Sequence, residues 1–406
     1  MQYDLVFEGG GAKGMVFVGA MQVFEERKHT YKRLLGTSAG AITAALLAAG
    51  YTAGEMREAL TEREGDQSVF STFIAQPGPF DKAMLAKSTT LQFLTDVNLP
   101  FVPDFIEKKL DEAIVYWMAA QPKLACSFSF LEYGGLFSAD HFVTWMQRRL
   151  DTGENNGKPR HYSAMTLKEF NQATGYDLSL VASDTTAGAM LVLNHRTAPD
   201  LPLVWAVRMS MSIPILWQEV IWKGEWGQYR GREMKDHAIV DGGLLSNFPI
   251  ELFLSKNNFV KNLMGSDAGE GVLGMYIDES TAVEGTTPAA AAANSALSLL
   301  GQTPVMRRIS NLLNTTLSAR DKLVTENAEK MVVRLPAGGY GTTEFEMTDE
   351  RRNLLVNAGC KAMTTYFDNL PPEGVGTSFG GEFEIEGFES PAAARTDAVA
   401  LRILGD

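Results

Sequence analysis

Apolar and polar positions over the first fifty residues follow one scheme twice. Asp4-Leu-Val-Phe7 is an apolar run of strand length, and it leads through Glu8 into Gly9-Gly10-Gly11-Ala12-Lys13-Gly14. From there Met15, Val18, Met21 and Val23-Phe24 recur at helical spacing up to the charged stop Glu25-Glu26-Arg27-Lys28. A second strand is predicted at Arg33-Leu-Leu35 and a second glycine turn at Gly36-Thr37-Ser38-Ala39-Gly40. A second helix follows from Ala41 to Ala49, ended by Gly50. It is apolar on nearly every side, as a helix buried in a core is. Strand, glycine turn and helix in this order predict an α/β fold: a mainly parallel sheet with helices on its faces.

From about Thr52 to Arg160 the pattern turns helical and aromatic-rich, broken at Pro77, Pro79, Pro100 and Pro103. This stretch reads as a helical insertion packed over the sheet. Strand patterns return at Leu178-Ser-Leu-Val-Ala182, Leu191-Val-Leu193, His237-Ala-Ile-Val240 and Gly271–Ile277, and late in the chain at Lys330–Leu335. Helices are predicted for Ala289–Leu300, Val305–Asn327 and Asp349–Phe367. After Pro371 the pattern fades, and the segment holds seven acidic residues against two basic ones. The expected organisation is one domain over 1–370 and a loosely attached acidic tail over 371–406.

Composition narrows the partners. Hydrophobic residues at 45% and charged residues at 21% are globular values. A net charge of −13, from 36 basic and 49 acidic residues, argues against nucleic acid as a ligand and against tethering to anionic lipid. Cys126 and Cys360 make neither a disulfide framework nor a four-ligand zinc site, which suggests a reducing, cytoplasmic setting. No secretory leader or membrane-spanning run is evident, so a soluble protein is expected.

The candidate chemistry lies in the glycine turns. Gly36-Thr37-Ser38-Ala39-Gly40 matches G-x-S-x-G, in which the serine occupies a strained strand-to-helix turn that glycines on either side permit. About 0.2 chance matches are expected in a chain with this much glycine, and Gly376-Thr377-Ser378-Phe379-Gly380 is a second match. Context favours Ser38, since Ser378 follows Pro371-Pro372 and precedes Gly380-Gly381 with no helix signal. The ordinary role for Ser38 is helix N-capping. The run from Gly9 to Gly14 fits the G-x-G-x-x-G of dinucleotide sites. However, no acidic residue ends the second strand, and there is no Gly-Lys-Ser/Thr ending for a P-loop. Side-chain-free amides at a helix start, aimed at developing negative charge, fit better, with Lys13 either adding positive field or simply solvated.

A nucleophilic serine needs a base. None of the five histidines (His29, His141, His161, His195, His237) follows position 237, which leaves no Ser–Asp–His order with an acid beyond it. Asp241 ends an apolar strand and is followed by Gly242 and Gly243, where open α/β sheets build sites. In a dry pocket such a carboxylate gains enough basicity to take a serine proton. Its ordinary role would be a turn cap, and Asp184 is the rival acid.

Together, Gly9–Gly14, Gly36–Gly40 and Asp241-Gly-Gly243 resemble the three signature blocks of patatin-like phospholipases. Val207-Arg-Met-Ser-Met-Ser-Ile-Pro214 and Val240–Pro249 add to the likeness, which runs over about residues 4–370. The resemblance implies a three-layer α/β/α sandwich and a histidine-free Ser–Asp dyad. It implies hydrolysis of lipid acyl esters without calcium or other cofactor. Ser38 resembles the nucleophile, Asp241 the base, and the Gly9–Gly14 loop the oxyanion hole. The substrate expected is a phospholipid or other acyl-ester lipid, met by transient contact with a membrane surface. Phe128-Ser-Phe-Leu131, Phe137, Phe142, Trp145 and the stretch from Ile213 to Trp226 are candidates for that contact. Two alternatives stay open. One is a hydrolase or transferase of soluble esters. The other is an effector gated by a ligand, as in nucleotide-activated phospholipases of bacterial defence.

Overall fold

The computed structural model describes residues 1–74, 76–96, 112–117, 119–286 and 329–370. The helices predicted at 289–300 and 305–327, the acidic tail and Ser378 lie outside the described residues.

In chain order the main elements are β1 (Gln2–Phe7), α1 (Met15–Glu26), β2 (Thr30–Thr37), α2 (Ala39–Ala48) and α3 (Ala53–Leu60). Next come α4 (Pro122–Tyr133), β3 (Gly135–Phe137), α5 (Asp140–Asp151), β4 (Asp177–Asp184), β5 (Ala189–Leu193) and α6 (Leu203–Ser210). The chain continues with β6 (Ile215–Trp217), β7 (Val220–Ile221), β8 (Ala238–Asp241), α7 (Asn258–Met264), β9 (Gly271–Ala282), β10 (Val332–Gly338) and α8 (Asp349–Asp368). Strands β4, β2, β1, β9 and β10 run parallel, while β5, β8 and β7 pair antiparallel at one side.

The layering follows from side-chain alternation. Leu5, Phe7 and Leu34 point to one face and pack with α1, α2 and α8. Val6 and Leu35 point to the other and pack with Ile250, Leu252 and the α7 residues Val260, Leu263 and Met264. The fold is therefore a three-layer α/β/α sandwich around a mainly parallel sheet. Helix α2 is buried along its whole length, as its unbroken apolar sequence required.

The short strands β3, β6 and β7 carry no legible signal of their own. Three-residue strands are too short to show a period of two, and β3 and β6 exist by pairing with each other. The structure also corrects most of the membrane-contact candidates, although Phe130, Leu131 and Ile221 are exposed. Phe128, Phe137, Phe142, Trp145, Trp217, Trp222 and Trp226 are all core residues at 3% exposure or less. Phe142 and Trp145 pack on each other and on Phe73, Trp222 packs on Trp226, Trp217 on Phe345 and Phe128 on Phe80, and burying that area outweighs leaving it in water. No helix among the described residues is long and apolar enough to cross a membrane.

Candidate active site

The pairing of β4 explains how two distant glycine turns meet. Leu180 and Val181 pair with both β2 and β5, whereas Ala182, Ser183 and Asp184 pair with both β8 and β5. A strand has two edges, so β2 and β8 must share one of them and meet end to end. Thr37 lies opposite Val181 and Asp241 opposite Ala182. Ser38 and Asp241 are thus brought together by consecutive residues of a third strand.

Ser38 is 5% exposed and holds φ 54° and ψ −120°, a conformation that costs a non-glycine residue on the order of 1–3 kcal/mol. It sits at the N-cap position of α2, but its side chain makes no capping bond. The hydroxyl is therefore not spent on the helix. Its own amide donates to Ser210 Oγ (3.1 Å), and Ser210 in turn donates to the Val181 carbonyl (2.6 Å). The flanking glycines are sterically required. A Cβ on Gly36 would lie 2.3 Å from the Gly40 carbonyl oxygen, and one on Gly40 would lie 2.3 Å from that of Phe7.

The first glycine run curls over this turn, with Gly9 packed against Ser38 and Gly14 against Ala39. Within the run, the Gly9 amide donates to Asn247 O, the Ala12 amide to Thr342 O and the Lys13 amide to Gly10 O. The amides of Gly10 and Gly11 make no such bond among the described residues. Gly11 holds φ +56°, for which glycine is the natural choice. Asn247 pins the loop by donating to the Gly9 carbonyl (2.9 Å) and Glu8 Oε1 (3.1 Å). Lys13 is neither solvated nor free: it is buried and ion-paired with Glu279, so its positive field is largely offset.

Asp241 is 4% exposed. Its Oδ1 accepts the Gly243 amide at 2.7 Å, whereas Oδ2 has no hydrogen-bond partner among the described residues. Burial pushes the carboxyl up to about 7, against the downward pull of the nearby Ser38 hydroxyl and the Gly243 amide. The Asp241 amide donates to the Ser212 carbonyl (2.9 Å). Ser212 Oγ in turn accepts from Arg208, a fully buried guanidinium that also donates to the Ser138 (3.0 Å) and Gln218 (2.9 Å) carbonyls. Burial pulls Arg208 down to about 10, against the upward pull of the Asp140 carboxylate. Gly242 is needed because a Cβ there would meet the Val181 oxygen at 2.3 Å.

The rival acid is spent. Asp184 Oδ1 accepts the Thr186 and Ala187 amides at 3.0 Å each, and Oδ2 pairs with His237 Nδ1 at 2.8 Å. Among the described residues no group of three His, Cys, Asp or Glu side chains is placed to hold a metal ion. A cavity of about 1030 Å³ lies at the far edge between β10 and α8, and shares no residue with the Ser38 site. Sequence reasoning assigned no role to Arg208, Ser210, Ser212 or Asn247. The available signal was polar residues embedded in apolar runs, which are buried only when hydrogen-bonded.

A sequence profile described as patatin-like phospholipase matches residues 5–254, more than half of the chain and all three glycine blocks. The chain belongs to that family. It is 28% identical over 366 residues to the uncharacterized protein YqhO of Bacillus subtilis (strain 168), spanning 88% of this chain and 96% of that one. It is also 22% identical over 263 residues to probable lipid hydrolase 463L of Invertebrate iridescent virus 6, spanning 65% and 67%. Two solved structures share 17% identity with it: VipD from Legionella pneumophila and the type III effector ExoU, of Pseudomonas aeruginosa. Their TM-scores are 0.43 and 0.36, over 90% of this chain but only 66% and 53% of theirs. The chain thus spans only part of either structure.

Proposed function

We propose that this patatin-like protein is a serine-dependent lipid acyl hydrolase that cleaves fatty-acyl esters of phospholipids, with Ser38 as nucleophile and Asp241 as base. One observation carries the reading: an uncapped serine hydroxyl on a strained turn lies beside a buried carboxyl held near 7. Ionised Asp241 takes the Ser38 proton as Oγ attacks the ester carbonyl. The Gly10 and Gly11 amides stabilise the oxyanion. Collapse of the tetrahedral species breaks the bond to the lysolipid oxygen, which receives the proton from Asp241. Water, deprotonated by Asp241, then attacks the acyl-enzyme, and the fatty acid leaves with Ser38 reprotonated. The catalytic domain is residues 1–370, with its insertion at about 52–160. It works in transient contact with a lipid surface.

Mass spectrometry of mixed phospholipids incubated with wild type and Ser38→Ala tests this. Wild type releases fatty acid and is labelled by a fluorophosphonate on the peptide containing Ser38, and the variant does neither. Label on any other serine would sink the assignment.

A further inference from the structure

Six large apolar side chains stand exposed among the described residues, and five of them fall between positions 84 and 131: Met84, Ile114, Trp117, Phe130 and Leu131. Residues next to them along the chain form one small satellite core. Leu85, Leu91, Val115 and Phe128 pack together there, away from the main sheet core. Helix α4 shows the pattern best. Ala125, Cys126, Phe128 and Ser129 are buried on its inner side. At about 100° per residue the opposite side carries Leu124, Ser127, Phe130 and Leu131, with Phe130 38% and Leu131 60% exposed. Trp117 is 58% exposed. A surface helix ordinarily presents charge outward. Here, between positions 112 and 135, the sequence has only Glu112, Lys123 and Glu132, and Glu132 accepts the Thr89 and Thr90 amides.

We propose that the outer face of this satellite, centred on Trp117 and Leu131, docks the protein onto a phospholipid surface with zwitterionic headgroups. The proposal rests on the acyl-hydrolase reading, which places the substrate in such a surface. Charge selects the lipid: a chain of net charge −13 is repelled by anionic headgroups, and the stretch 112–135 holds only three charged residues. An exposed tryptophan suits the headgroup boundary, where its ring is half in hydrocarbon and half in water. Position completes the argument. Helix α4 runs through Gly134 into β3, whose Gly135 pairs with Ile215. Ile215 lies three residues after Ser212, whose carbonyl holds the Asp241 amide. Three extended residues span at most about 11 Å and one strand spacing adds about 5 Å. The two residues from Tyr133 to Gly135 and the hydrogen-bonded step from Ser212 to Asp241 add about 12 Å more, so the end of α4 is within roughly 28 Å of the Asp241 backbone. A helix lying about 5–10 Å into the boundary is at the depth of the acyl ester, so docking through α4 holds the site near the layer that contains its substrate. Ile221, also exposed, stands alone on a surface strand and serves as the control.

The test compares wild type, the double variant W117E/L131E and Ile221→Glu in the full chain. Sedimentation with phosphatidylcholine vesicles measures docking. Hydrolysis is followed on those vesicles and on a monomeric short-chain ester. The double variant loses at least about tenfold in vesicle partitioning per residue changed, and vesicle hydrolysis falls with it. Short-chain ester hydrolysis and fluorophosphonate labelling hold, and Ile221→Glu changes nothing. If the glutamates prevent folding, W117A/L131A is used instead, with a joint loss of about tenfold. Unchanged partitioning in a folded variant, or a wild type that does not bind vesicles, overturns the proposal. So does a variant that merely turns a dimer into a monomer, which would make the face a protein contact. If wild type binds vesicles but hydrolyses neither ester while the variants lose binding, the enzymatic reading fails and the docking surface stands.

Discussion

Asp184 and Asp241 end adjacent antiparallel strands, both in apolar sequence and both buried at 1% and 4% exposure. They differ in what surrounds them. Asp184 has two backbone amides and the His237 ring around it, so each oxygen is satisfied. Asp241 has one amide, one unpartnered oxygen and the Ser38 hydroxyl close by, and burial lifts it to about 7. A buried carboxylate with full hydrogen bonding is a structural fastener, whereas one left partly bare is free to take a proton, as the proposed dyad requires. The contrast teaches that neither strand position nor burial distinguishes the two. The count of donors does.

Exchanging the two acids for amides is the harshest way to break this comparison. Asp241→Asn lowers turnover by several orders of magnitude with the fold intact, because it deletes the proton acceptor. Asp184→Asn leaves turnover near wild type but costs about 1–3 kcal/mol of stability, since an amide cannot accept all three of its bonds. Paired ester kinetics and urea unfolding check both. A histidine variant as inactive as Ser38→Ala while folded would replace the dyad with a triad.

The pH response sharpens the same contrast. In the proposed dyad the ionised form of Asp241 is the base, so kcat/KM is expected to rise up to tenfold per pH unit below about 7 and level off above it. Stability moves the other way. A carboxyl raised on folding binds its proton more tightly in the native state, so stability falls as pH rises from the unfolded value near 4 to about 7. At pH 8 wild type carries a cost of at most about 4 kcal/mol that Asp241→Asn relieves, and at pH 4 the difference vanishes. Urea unfolding of both proteins at the two pH values measures it, and an equal difference at both would contradict the shift.

A smaller effect is expected at Ser210, whose hydroxyl links the Ser38 amide to the Val181 carbonyl. Ser210→Ala loosens the turn and lowers kcat about tenfold to a hundredfold with KM little changed. Ser378→Ala, at the second G-x-S-x-G match, changes neither rate nor labelling, and mass spectrometry of the labelled peptides decides between the two serines.

Much of this was legible along the chain because it is local. Gly36 and Gly40 bracket Ser38 within five residues, and the steric need for them lies within that turn and the adjacent β1 carbonyls. Strand β1, helix α1 and helix α8 announce themselves by period, since each is long enough to show one. Most of the membrane-contact candidates, though not Phe130 or Leu131, failed for the opposite reason. Phe142 and Trp145 in the insertion have the same composition as an exposed apolar patch, and burial is not a property of composition.

What the sequence alone determined is therefore the parts: a parallel α/β sheet, a strained serine turn, a side-chain-free amide loop and a carboxylate before two glycines. Each depends on forces acting within a few residues of chain. Only the tertiary structure decided which parts meet. The shared edge of β4 sets Ser38 beside Asp241, and Asn247 leaves the Gly10 and Gly11 amides unspent by fixing the loop at Gly9. His237 satisfies Asp184 and so removes it from contention. Those outcomes depend on hydrogen bonds between residues tens to hundreds of positions apart, and no local pattern encodes such a partner.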